Sequence, residues 1–198
     1  MSKFTVYVLD TETTGLDPVK NDIIEISLKR LSDNQQKTWC MKPINLDNIE
    51  DGALRVNGVN RDDLLWKTVA GKEKYRLVEE VLPEIENWVA EDGGNVYTRL
   101  IVGHNINFDH QMMMSTWKKV DATQTYPFST FGNMIDTKGL TLFFDWIAGE
   151  NNGKYNLGAC IKKYGLETRK AHGAEDDVKM CEDLLMRHVG IVKKAAIG

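Results

Sequence analysis

The sequence predicts a mixed α/β domain in which helices cover a central sheet, and three observations carry that expectation. The first segments alternate apolar and polar residues and are rich in β-formers. From Leu77 onward, short strand-like runs alternate with stretches of helical periodicity. The whole chain of 198 residues is 42% hydrophobic and 27% charged, the balance of a globular protein with a core of its own.

Taken in order, Phe4 to Leu9 (FTVYVL) reads as a central strand that closes at Asp10, and the TTGLDP stretch after it is turn-like. Ile23 to Leu31 and Lys37 to Met41 read as a second and third strand joined by a turn at Ser32-Asp33-Asn34, so the chain opens with an antiparallel meander. Leu77 to Val89 has helical spacing with Pro83 inside it; either the helix starts near Pro83 or it kinks there. Leu100 to Val102 is a short strand ended by Gly103, after which Phe108, Met112, Met113, Trp117 and Val120 fall on one helix face. Met134-Ile135 is a brief strand leading into a helix through Leu140 and Phe143. Asn156 caps a helix through Leu157, Ile161 and Tyr164, which Gly165 stops. The last helix runs from Ala174 to His188 with Val178, Cys181 and Leu185 turned inward. No repeat or linker interrupts this order, so we expect one domain over residues 1–190 and a short tail over 191–198.

The bulk properties narrow the function. No apolar run approaches membrane-spanning length, and Met1-Ser2-Lys3 leads straight into a strand with no leader-like segment, so no membrane association and an intracellular, cytoplasmic location are expected. Cys40, Cys160 and Cys181 are far apart and odd in number, which fits free thiols rather than a disulfide framework or a metal finger. The net charge of −4 argues against broad coating of duplex DNA, which calls for Lys and Arg. It leaves room for a small contact at a nucleic-acid end, where bound cations supply the positive charge.

The chemistry gathers at element ends. Asp10 and Glu12 flank Thr11, and in extended backbone residues two apart point to the same side, so both carboxylates can serve one hard cation. Such a pair is common on surfaces and says little alone. GHNINFD (Gly103 to Asp109) and AHGAEDD (Ala171 to Asp177) each place an acid at a helix start, where the helix dipole by itself would explain it. Three acid-bearing ends in one small α/β domain, the last with a histidine beside it, make the ordinary explanation harder to sustain.

LDTETTGLDP (Leu9–Pro18), HNINFD (His104–Asp109) and HGAEDD (His172–Asp177) together resemble, in order, the three motifs of the DEDDh 3′→5′ exonucleases, the relatives of the bacterial replicative proofreading subunit, ribonuclease T and oligoribonuclease. ALRVNGVNRDDL, MIDTKGL and YNLGACIKKYGLE resemble the intervening segments, so the likeness spans nearly the whole chain. The resemblance implies a ribonuclease H-like fold. It implies that Asp10, Glu12, Asp109 and Asp177 hold two divalent cations, and that His172 is the general base. The spacing from His172 in the family selects Asp177 over Asp176 as the ligand.

Elementary chemistry agrees with those roles. Two cations roughly 3.5–4 Å apart activate water and neutralise a phosphodiester. Oxygen ligands suit Mg²⁺, with Mn²⁺ able to substitute. Of the set, only His172 has an unperturbed pKa near neutrality. Thr13, Leu16, Asn57 and Phe108 match positions around the terminal nucleotide; Asn57 stands where many relatives carry His, and the helical neighbours of Phe108 favour core packing for it. The five tryptophans are scattered, and their spacing offers no stacking platform.

The expected substrate is therefore nucleic acid with a free 3′ end. The TETTGLDP wording favours DNA, single-stranded or frayed, over RNA ends or short oligoribonucleotides. The chain either works alone or serves a polymerase or another replication or repair protein as partner, and a catalytically silent binding module is the remaining alternative.

Overall fold

The computed structural model describes residues 4–66, 68–69, 71–120, 125–151, 153–169 and 173–197. In chain order the elements are β1 (Thr5–Thr13), β2 (Ile23–Arg30), β3 (Gln35–Cys40), α1 (Asp51–Asn57), α2 (Arg61–Trp66), β4 (Thr68–Val69), β5 (Lys72–Glu73) and α3 (Val78–Ala90). They continue with β6 (Arg99–Gly103), α4 (Ile106–Val120), β7 (Met134–Asp136), α5 (Thr137–Ala148), α6 (Leu157–Lys163) and α7 (Ala174–Ile197). One sheet runs β3-β2-β1-β6-β7, and β4 and β5 form a separate small hairpin. β1, β2 and β3 are antiparallel neighbours, whereas β6 pairs parallel to β1 and β7 parallel to β6. The expected meander followed by strand–helix alternation is therefore a mixed sheet with β1 at its centre.

The alternation along β1 decides which layer each side chain meets. Tyr7 and Leu9 join Ile26, Leu28, Leu82, Ile85 and Met113 in the larger core under α3 and α4. Val8 points the other way, toward Val102, Val178, Cys181 and Leu185 in the core under α7. Asp10 and Glu12 continue the register of Val8, so they leave the sheet on the α7 side, while Thr11 continues that of Leu9.

Pairing lengths matter as much as faces. β1 pairs with β6 only from Thr5 to Val8, yet its pairing with β2 continues to Thr13, with an irregularity between Glu12 and Thr13. The far end of β1 thus has one bare edge, and a bulge re-aims its last side chains. Gly103 closes β6 close by: a Cβ there would lie 3.2 Å from the Leu9 carbonyl oxygen and 2.6 Å from Ile106, so only glycine lets α4 start this near to β1.

Several expectations shift. β1 runs on to Thr13 instead of closing at Asp10, because β2 keeps supplying hydrogen bonds beyond the apolar stretch. α3 begins at Val78 with Pro83 inside it, which excludes a start near the proline. α7 continues past His188 to Ile197, so residues 191–197, expected as a tail, are helical; Gly190 does not stop the helix. α1, α2 and the β4–β5 hairpin were not anticipated from their weak periodicity. No helix among the described residues is long and apolar enough to cross a membrane, and all three cysteines are free.

Candidate active site

Asp10, Glu12 and Asp177 each offer a carboxylate oxygen, and these three oxygens lie within 4.8 Å of one another. Two come from the end of β1, and the third comes from the first turn of α7, which packs across that face of the sheet. Asp109 reaches the same strand end from the opposite layer. It is 4% exposed, and its Oδ1 accepts hydrogen bonds from the Thr11 backbone N–H (3.0 Å) and the Thr11 hydroxyl (2.7 Å). The bare edge of β1 is what leaves that N–H available.

The turn before α4 is held to place Asp109. Asn105 adopts a left-handed φ of 68°, which asparagine tolerates better than most residues, and its N–H donates to Asp136 (2.9 Å). His104 is engaged at both ring nitrogens, with Thr137 Oγ1 at 3.0 Å and the Tyr155 carbonyl at 2.8 Å, and burial lowers its pKa. His104 is therefore a structural tie between β6, α5 and the segment before α6.

Glu25, on β2, went unnoticed in the sequence. It stands opposite Glu12 in the β1–β2 register, and its Oε1 accepts the Ala174 N–H (3.0 Å) at the start of α7. That bond fixes the end of the helix bearing Asp177. The signal was available: a glutamate between Ile24 and Ile26, both buried on one face of β2, must point to the other face. Asp176 makes an ion pair with Lys179 (3.7 Å) and is not one of the three residues of the carboxylate cluster. His172, expected as the base, lies outside the described residues.

Packing acids together raises their proton affinity. Burial, followed by the charges of Asp109, Asp177, Glu12 and Glu25, holds Asp10 well above the usual carboxylate range. Burial and then Asp177, Glu25 and Asp109 push Glu12 up to about 8, and burial pushes Asp109 up to about 7. Groups whose folded pKa exceeds the unfolded one bind protons on folding, so their contribution is fully present below about pH 4 and is lost as pH rises through about 8. We therefore expect the protein in chelator to melt at a lower temperature at pH 8 than at pH 5. Mg²⁺ should raise the melting temperature more at pH 8, and Asp10→Asn should flatten the pH dependence. Melting curves independent of Mg²⁺ at both pH values would contradict a cation-binding cluster.

Three of the four candidate substrate positions meet. Thr13, Leu16 and Asn57 line a cleft of about 290 Å³ together with Val56 and Glu50. Leu16 is 77% exposed at its mouth. Asn57 donates from Nδ2 to the Thr13 carbonyl (2.9 Å), so in this chain it clamps α1 to the end of β1. Phe108 is not among the residues of that cleft; it packs half-buried against the larger core.

The family model for exonucleases of the RNase_T group matches residues 7–185. The chain belongs to this exonuclease family. This exonuclease-family chain is 30% identical over 199 residues to the PolC-type DNA polymerase III of Thermotoga petrophila, covering 98% of the chain but only 12% of that much longer polypeptide. It is 27% identical over 189 residues to ribonuclease T of Escherichia coli K12, covering 89% of the chain and 80% of the relative. Among solved structures, cell-death related nuclease 4 superposes with a TM-score of 0.70 at 16% identity, over 96% of this chain and 65% of that one. E. coli exonuclease I in complex with a dT13 oligonucleotide superposes with a TM-score of 0.68 at 17% identity, over 94% and 40%. These superpositions bear out the ribonuclease H-like fold.

Proposed function

We propose that this chain is a metal-dependent exonuclease that removes nucleotides one at a time from a free 3′ end, releasing nucleoside 5′-monophosphates. The observation that carries the reading is the carboxylate cluster of Asp10, Glu12 and Asp177, with Asp109 hydrogen-bonded at the same strand end. Repelling carboxylates kept together at the end of a central strand suit hard divalent cations and little else. Asp10, Glu12, Asp109 and Asp177 would hold two Mg²⁺ ions, with Mn²⁺ able to substitute. When bound, such a pair neutralises the phosphodiester and activates water.

The chain's own groups supply the rest. His172 takes the proton of the attacking water, since imidazole titrates near neutral pH. The cleft of Thr13, Leu16 and Asn57 seats the terminal nucleotide, with Leu16 as an apolar wedge against the base. Asp109 has a second task, because its bonds to Thr11 set the strand end on which Asp10 and Glu12 stand.

DNA with single-stranded or frayed ends is the favoured substrate, supported by the PolC-type relative and by the likeness to exonuclease I bound to an oligonucleotide. RNA ends are the second reading, supported by ribonuclease T, most of whose length this chain covers. A polymerase partner is supported by the PolC-type relative alone. The free cysteines support a reducing, intracellular setting. End-labelled single-stranded DNA, frayed duplex and short RNA, each in Mg²⁺ and in chelator, test the proposal. Stepwise shortening from the 3′ end in Mg²⁺ alone is expected, faster on DNA. Cutting of a circular single strand, or shortening from the 5′ end, would overturn it.

A further inference from the structure

A second cleft lies beside the first. Its volume is about 220 Å³, and it runs from Glu12 past Asn57 to Asp63, Lys74 and Tyr75. Asn57 lines both clefts and so forms the partition between them. With the terminal nucleotide seated on one side of Asn57, the other side is left for the strand leading to it; there Glu12, Glu25 and Asp63 line the cleft with Lys74, its only cationic lining group among the described residues, which pairs with Glu25 at 3.8 Å.

The outer rim of this second cleft is α2. Leu64 is fully buried in a small core with Ile24, Leu54 and Tyr75, which fixes the roll of the helix. Asp63 lines the cleft, and Trp66, three residues on, occupies the same face one turn away, about 5–6 Å between Cβ atoms. Trp39, Trp88 and Trp117 are buried at 7% exposure or less, whereas the Trp66 side chain is 77% exposed. The β4–β5 hairpin follows directly, with Lys72 exposed at its tip and Lys42 holding it to the main body through Glu73 (2.9 Å). Lys74 sits over the Tyr75 ring, 4.8 Å from its centre. An exposed indole one helix turn from a cleft residue, followed in the chain by Lys72 on the hairpin and Lys74 in the cleft, has the makeup of a single-strand track: a flat ring for a base and cations for the backbone.

We propose that Trp66 stacks on a base of the single strand upstream of the scissile phosphate, with Lys72 and Lys74 flanking the backbone, so that α2 and the β4–β5 hairpin set how tightly longer ends are held. This rests on the nuclease reading for the direction in which the strand runs. It extends that reading from the terminal nucleotide to the chain behind it.

The test compares the 198-residue chain with its Trp66→Ala, Trp66→Phe and Trp146→Ala variants on thymidylate oligonucleotides from two to six residues long. Trp146 is an equally exposed indole (76%) on α5, away from both clefts, and serves as the control. Trp66→Ala is expected to raise KM for the hexanucleotide roughly tenfold, within the usual range for losing one base–aromatic stack. The effect should fall on KM rather than kcat and shrink as the substrate is shortened. Trp66→Phe should recover most of it, and Trp146→Ala should follow the wild type at every length. Anisotropy of labelled hexanucleotide in chelator reads the same loss without turnover, and unchanged thermal melting excludes a folding defect. If Trp66→Ala and Trp146→Ala behave alike, or if the penalty is the same at all lengths, the stacking assignment falls. A wild type that binds the oligonucleotide through Trp66 but never hydrolyses it keeps this assignment and overturns the nuclease reading instead.

Discussion

Asp10→Ala is expected to reduce hydrolysis to background. Asp10 belongs to the cluster with Glu12 and Asp177 and feels the charge of Asp109 as well, so its loss should disturb both proposed cation positions. Losing one electrostatic contact to a transition state costs about 10²–10³-fold, and losing the cations removes charge neutralisation and water activation together, so the drop should exceed that range. Calorimetry should show weaker Mg²⁺ binding, and the metal-free variant should melt no lower than the wild type because a repelling charge has gone. Retained turnover with weakened metal binding would show that the cluster is not the reaction centre.

Next in size is the effect at His172. Its removal leaves the carboxylates in place and takes away the proton acceptor, so His172→Ala should lose about 10²–10⁴-fold in turnover with Mg²⁺ affinity kept. Raising the pH should recover part of the loss as hydroxide becomes available. Asp176→Ala is the internal comparison: Asp176 pairs with Lys179 on the surface of α7, so its loss should cost little. A dead Asp176→Ala variant, or a His172→Ala variant near full rate at neutral pH, would require the third motif to be reassigned.

The parts of this molecule that could be read from sequence are those where one residue type has one physical use. Alternation in FTVYVL marked the central strand, and Asn156 marked a helix start, its side chain accepting the Ala159 N–H (2.9 Å). The three acidic motifs were legible because each lies at the end of an element that periodicity already defined. What stayed hidden depends on pairing between distant segments. That β1 continues to Thr13 follows from β2, not from its own composition. Glu25 matters because of the strand opposite it, and α1 and α2 are too short to show periodicity around Gly58, which caps α1 at a left-handed φ of 64°. The two roles of Asp109 were likewise invisible, since nothing local says that its carboxylate will hold the Thr11 N–H.

That last bond bears on how lineages of such domains drift. Asp10, Glu12 and Asp177 repel one another, so a descendant released from catalysis gains stability by replacing any of them. Asp109 adds to the repulsion on Asp10 but is under an opposing pressure as well: without it the Thr11 N–H and hydroxyl lose their buried acceptor, at a cost of about 1–3 kcal/mol. A relative that retains only the aspartate equivalent to Asp109 has thus kept a structural strut and says little about activity. One that keeps the mutually repelling trio carries a burden that only selection for turnover would maintain.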